Sequence, residues 1–473
     1  MAVNSTIIQF LNGAPIPVGM PLIFTVENRQ AVADETRVKF CAEIHIGSNQ
    51  PNTANSNNLV GVFKTTPNNA GVGMFDVRNV VENYVKADNL ASDGSAYKTT
   101  ITSALNRHPL HLIDKFSLSD NISRWLVIQF YVEYLDTDPT SADYNTVRKF
   151  GGTVQNSNMY LISNGYIKHT DHLEEISGAR GYYYDMGKFA MASSTIGSFL
   201  SNAPTSQFAN VNDYGTIAFT MNPTQFTGVY RAKFEFYDSS NALLSQDAII
   251  FDDITGGFES YSMDSKKQII YLGTFPANLK GWSTFFNGIV SQIEGGYITV
   301  EIQNQSSVAI SQKYTINVNC PNTKGYESIR LCWLNQWGAW DYYTFTKKSS
   351  KSISTQGSTY QQLGGTWNER KYRVDGHKGG TRSFRVNANE KISMNTGFVS
   401  EDDNVMFEEL INSPEVYQLE GFQTDLNNAA LNQYVTPVRL TTSSFTRKTI
   451  ANDRLMQYTF EIEKSNTLRT QSI

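Results

Sequence analysis

Apolar and polar residues alternate with a period of two through most of this chain, and that pattern restricts it to a β-rich fold. In RVKFCAEIHIG, residues 37–47, Val38, Phe40, Ala42, Ile44 and Ile46 fall on one face. Lys39, Cys41, Glu43 and His45 fall on the other. Successive side chains of a strand point to opposite sides, so this run reads as a half-buried strand. MPLIFTVEN (20–28), LVGVFKTTP (59–67) and RWLVIQFYVEYLD (124–136) have the same β-branched and aromatic character, with turn residues between them. NMYLISNGYI (158–167) follows. MFDVRNVVENYV (74–85) breaks the pattern: Phe75, Val77, Val80, Val81 and Tyr84 have helical spacing, with Asp76 placed to cap.

At 473 residues the chain exceeds one typical domain. Residues 1–175 read as a β-sandwich module with one short helix. Residues 176–325 read as a second, built from YGTIAFTMNP, GVYRAKFEFYDSSNALLSQDAIIF, KQIIYLGTFP and the strands up to INVNC. Asp238, Ser239, Ser240 and Asn241 are turn formers between two of its strands. Short strands at this spacing predict serial immunoglobulin-like sandwiches. The Ser/Ala/Gly-rich segment 176–204 is expected to pack between modules. Residues 326–473 form a C-terminal β-rich module with a helix at 401–411, capped by Ser400, with Asp403 at the capping-box position, and ended by Pro414. Val405, Met406, Phe407 and Leu410 are its expected buried face. Residues 356–382 read as an exposed polar, Gly-rich excursion, and YVTPVRLTTSSF and LMQYTFEIEK as closing strands.

The densest stretch is CWLNQWGAWDYYTF, residues 332–345. It reads as two strands across a tight turn at Gly338. Bulk on both faces predicts an internal strand pair, with Trp333 and Tyr343 buried. Trp337 and Trp340 flank the turn and, with Asp341 and Trp367, are the expected contacts to a neighbouring subunit or ligand.

No catalytic motif is found: there is no P-loop, no G-x-S-x-G elbow and no H-E-x-x-H. Two H-x-x-H pairs occur, His108/His111 and His169/His172, the second beside Asp171, Glu174 and Glu175. A metal site needs a third ligand and support around it, so both read as polar loop residues and no metal or cofactor is expected. The acid clusters at 251–253 and 400–403 have turn and capping roles, so the chain is read as a non-enzyme. The net charge of −5 argues against nucleic acid as a partner. The first residues lack the basic start and apolar run of a signal peptide, and no apolar run is long enough to span a bilayer. Three scattered cysteines, Cys41, Cys320 and Cys332, read as free thiols.

Three stretches together resemble virion structural proteins of tailed bacteriophages, especially those of marine and Bacteroidota hosts, crAss-like phages included. They are PLIFTVENRQ…RVKFCAEIHIG…NLVGVFKTTPNNAGVGMFDVRNVVENYV, IRLCWLNQWGAWDYYTFTKK, and TGFVSEDDNVMFEELINSPEVYQL…YVTPVRLTTSSFTRKTIANDRLMQYTFEIEKSN. The resemblance covers about half the chain and lies in strand and helix positions. It implies a tail or baseplate component, assembled in the host cytoplasm, that forms a ring with copies of itself and contacts other tail proteins. It implies no catalytic residues. The excursion 356–382 departs from it. The rival reading is a carbohydrate-binding adhesin that holds a host surface glycan on the aromatics of 333–345 and Trp367; a polysaccharide depolymerase is weaker still.

Overall fold

The computed structural model describes residues 5–9, 11–13, 15–47, 58–91, 109–119, 121–151, 154–167, 183–184, 187–191, 196–221, 229–251, 269–319, 325–366, 369–420, 434–449 and 455–469. The fold is mainly β, with several sheets and five short α-helices among the described residues. None of these helices is long and apolar enough to cross a membrane.

The strand Thr36–Gly47 lies second from one edge of a seven-stranded sheet, between the central strand Ser123–Leu135 and the edge strand Leu59–Thr65. Val38, Phe40, Ala42, Ile44 and Ile46 are buried as their spacing requires. Cys41 and His45 of the opposite face are buried too. Cys41 pairs with Tyr131, and burial is the largest of the effects that push its thiol pKa up to about 12. The run 74–85 is only partly helical. Val72–Asp76 is a strand, and helix begins at Arg78. The Asp76 carboxylate accepts from the Arg78 and Leu22 N–H groups, but it ends the strand; the N-cap of the helix is Val77, which makes no side-chain cap bond.

A five-stranded sheet is built around Arg231–Tyr237, Tyr297–Gln303 and Tyr314–Val318. Its hairpin turn follows the side-chain chemistry: Asp238 accepts from the N–H groups of Ser240 and Ala242, and Asn241 takes a positive φ of 64°. A four-stranded sheet joins Phe116–Leu118 to Ile269–Gly273, and thence to Thr216–Met221 and Ala190–Met191. One hydrophobic cluster runs from Leu11 through these sheets to Leu419.

The C-terminal sheet has eight strands, with the order Trp340–Phe345, Ile329–Leu334, Val416–Leu419, Val435–Leu440, Thr459–Lys464, Gly380–Asn395, Ser349–Gln362, and Leu468–Arg469 paired beside Gly380–Asn395. Helix Asp403–Asn412 lies on it and buries Met406, Phe407 and Leu410 in a second cluster with Trp333, Phe345 and Phe460, while Val405 is only half-buried. The helix starts later than its sequence implied. Asp402 is its N-cap and makes no side-chain cap bond. Ser400 instead donates its N–H and its hydroxyl to the Asp403 carboxylate, at 2.8 and 2.9 Å. The return half of a capping box is present without the forward half.

The excursion at 356–382 is regular structure rather than a loop. Ser349–Gln362 and Gly380–Asn395 pair from Ser349↔Met394 to Gln362↔Gly380, with one β-bulge at Phe384 where the register shifts between Ser358 and Thr359. Among the described residues, only the base of this hairpin meets further strands: Lys391–Asn395 pairs with Thr459–Glu463, and Asn387 and Ala388 pair with Arg469 and Leu468. Residues 350–359 and 380–386 are exposed. The tip carries its own small hairpin, Gly365–Thr366 with Arg373–Val374. The hairpin is therefore an arm that leaves the body of the protein.

Candidate functional site

The aromatic stretch folds as the hairpin Ile329–Leu334 and Trp340–Phe345, with Trp333 opposite Asp341 and Leu331 opposite Tyr343. Its two faces enter different cores. Ile329, Leu331, Trp333 and Phe345 belong to the C-terminal cluster, with Tyr343 half-buried against it. Cys332, Trp337, Trp340 and Tyr342 belong to the cluster shared with the rest of the chain. A strand pair clamped between two cores must be apolar on both sides, which accounts for its composition.

The turn is built by Asn335. Its side-chain oxygen accepts the N–H groups of Trp337 and Ala339, each at 3.0 Å, and its amide donates to the Leu200 carbonyl at 2.8 Å. Gly338 has φ +77°, and a Cβ there would stand 2.2 Å from the Asn164 carbonyl oxygen. The Tyr166 N–H donates to the Gln336 carbonyl at 2.7 Å. The turn is thus seated in the N-terminal part of the protein. Trp337 and Trp340 are 4% and 2% exposed. Trp337 packs on Phe189 with ring centroids 4.5 Å apart, and Trp340 donates its indole N–H to the Asp88 carbonyl. Trp337, Trp340 and Asp341, expected to contact a neighbouring subunit or ligand, are buried within the subunit, because the turn is docked rather than free. Trp367 lies outside the described residues, as do His108, His169, His172, Asp171, Glu174, Glu175, Asp252, Asp253 and Cys320.

His111 is in the core. Its Nδ1 lies 2.9 Å from the Tyr342 hydroxyl, which lies 2.9 Å from that of Thr216. Its Nε2 lies 3.7 Å from the Cys332 sulfur, and its ring meets Trp340 edge-on at 4.7 Å. Burial, and then the Arg330 charge, push its pKa down to about 3, so the imidazole is neutral at ordinary pH. Arg330, itself buried, donates to the Tyr214 carbonyl and the Thr344 hydroxyl, and lies 3.5 Å from Asp213. Cys41 and Cys332 are free and buried, and burial raises both thiols. Among the described residues no group of three His, Cys, Asp or Glu side chains is placed to hold a metal ion.

Asp341 is 3% exposed. The Ser201 hydroxyl donates to its Oδ1 at 2.5 Å. Its Oδ2 and the Oε2 of Glu409 are both buried without a donor, and each carboxyl acts on the titration of the other. Asn202 in turn donates to Glu409 Oε1 at 2.6 Å. Burial first, and for Glu409 the Asp341 charge next, raise both pKa values. Two such carboxyls in a buried site cannot both ionise cheaply, so the pair keeps a proton. Segment 196–204 supplies both hydroxyl and amide donors, so this part of 176–204 packs against the C-terminal sheet. Glu409 was not singled out in the sequence. The available signal was helical: it lies three residues from Met406 and beside Leu410, at the rim of the buried face.

Glu409 also lines a cleft of about 430 Å³ with Val18, Gly165, Tyr166, Gln336 and Pro414. Asp341 lies behind this wall, so the two carboxyls do not face each other across the cleft as hydrolysis of a glycosidic bond requires. The pair ties the hairpin, the helix and the 201–202 loop together. No protein-family model matches the chain, and no curated protein matches it.

Proposed function

We propose that this chain is a non-enzymatic structural component of a tailed-bacteriophage virion, a tail or baseplate protein that forms a ring by contacts with copies of itself and with other tail proteins. In this reading it is assembled in the host cytoplasm, and its sheets represent serial immunoglobulin-like modules. The observation that carries it is the arm Ser349–Asn395. A two-stranded hairpin is marginal in water by itself. An arm of 14 and 16 residues held by strands only at its base is the form of an element that gains its stability from a neighbour.

The adhesin alternative rests on exposed rings, and Trp337 and Trp340 are covered within the subunit. The test is mass spectrometry and three-dimensional reconstruction of purified particles from cells that make this protein. The expected result is the chain in the tail region in symmetric copies. Its absence from purified particles would overturn the proposal. Glycan binding that is lost in a Trp367→Ala variant would replace it with the adhesin.

A further inference from the structure

The arm has two unlike faces. By its register, Ile353 opposite Glu390, Thr355 opposite Ala388 and Gly357 opposite Val386 share one side. Ser354 with Asn389, Gln356 with Asn387 and Ser358 with Arg385 share the other. The first side leaves Ile353 63% and Val386 40% exposed. Phe384, 49% exposed, is the extra residue of a β-bulge and meets Tyr360 edge-on on the second side. The outer edge of Ser349–Gln362 has no strand beside it among the described residues, so a row of backbone donors and acceptors is open. Proteins that stay apart blunt such edges by keeping them short. This one is 14 residues long.

Charge says what covers it. Segment 349–395 holds eight Lys or Arg and three Asp or Glu, a net +5, in a chain of net −5. The rest of the chain is therefore −10. A basic arm on an acidic body is complementary to another copy of the same molecule. The same body would repel a phosphate backbone, and the apolar side chains and open strand edge have no use against one.

We propose that the arm docks edge-on against the acidic body of a second copy of this chain, through the open edge of Ser349–Gln362 and the side chains that flank it on both sides, Ile353 and Val386 on one and Arg382 and Arg385 on the other. This deepens the self-assembly reading and rests on it. Each copy offers an arm and receives one; where the exchange is not reciprocal between two copies the contact is head-to-tail, the kind that closes into rings when the rotation allows.

The experiment uses the full-length protein and two variants, followed by analytical ultracentrifugation over a concentration series. In the first, residues 356–387 are replaced by Asn-Gly, a two-residue turn that joins Thr355 to its partner Ala388. In the second, Arg382→Glu and Arg385→Glu reverse two exposed charges. The wild-type protein is expected to associate, and to do so less at about 1 M salt, where the screening length is about 3 Å. Both variants are expected to weaken association at least about tenfold without lowering the melting temperature. Cross-linking of mixed heavy- and light-isotope protein is expected to join arm lysines such as Lys351 or Lys371 to acidic residues outside the arm, between chains. An arm-deleted protein that still assembles overturns the docking role and leaves self-assembly standing. A wild-type protein that is monomeric throughout overturns the self-assembly reading itself. Salt-sensitive binding of the arm to duplex DNA without self-association overturns the choice of partner. If the deletion fails to fold, the charge-reversed variant decides.

Discussion

Asp341 and Glu409 each bury a carboxyl oxygen that has no donor, and each carboxyl acts on the titration of the other, from a strand and a helix that meet only in the folded protein. The other groups that shift them are neutral: Ser201, Asn335, Asn202 and the Gln336 backbone. The proton they share is held in the folded state and released in the unfolded one. Both folded pKa values are raised above the ordinary 3.8 and 4.5. The folded state therefore binds more protons above those values, and stability falls as pH rises through the raised range. The slope for one proton is at most about 1.4 kcal/mol per pH unit. Glu409→Gln keeps a donor for Asp341 without the second charge. The melting temperature of the wild type is expected to drop between mildly acidic and mildly alkaline buffer, and that of Glu409→Gln to drop less. Parallel curves for the two proteins would show that the pair does not share a proton.

Trp333 and Trp337 serve different cores but are both interior. Trp333→Ala should cost about 3–5 kcal/mol, the range for truncating a large buried aromatic, and Trp337→Ala should fall in the same range. Denaturant unfolding checks both. Full stability of Trp337→Ala would mean that the turn does not pack on Phe189.

Gly338 has a positive φ and a backbone oxygen where a methyl group would go. Gly338→Ala is expected to lose more than about 2 kcal/mol, since the left-handed conformation alone costs about 1–2 kcal/mol for a residue with a Cβ. Thermal melting of this single variant is the check, and an unchanged midpoint would place the turn away from Asn164.

The helix start is testable by a pair. Asp403 accepts both bonds from Ser400 and sits in the first turn, where the helix dipole favours an acid. Asp403→Ala is expected to cost about 1 kcal/mol and Ser400→Ala clearly less. The reverse order in urea titrations would restore Ser400 as the cap.

The strands were legible in the sequence because their signal is local. Val38 through Ile46, Arg231–Tyr237 with its Asp238 turn, and the two halves around Gly338 are specified by alternation and turn chemistry alone. Burial of Trp333 followed from the same source, since a strand with bulk on both faces has to be internal. What lies on the second face of a strand is not local. Cys41 and His45 are buried by Ser123–Leu135 and its neighbours, and Trp337 by Phe189, partners that no spacing in the sequence announces. The acid pair is of the same kind: Asp341 reads as a contact to a neighbour or ligand, and nothing in the sequence joins it to Glu409 until the fold brings the two together. The polar composition of 356–382 predicts an exposed excursion, and most of its described residues are exposed. Only the pairing of Ser349–Gln362 with Gly380–Asn395 makes it an arm, because strand register depends on backbone partners far along the chain and not on the side chains of either strand by itself.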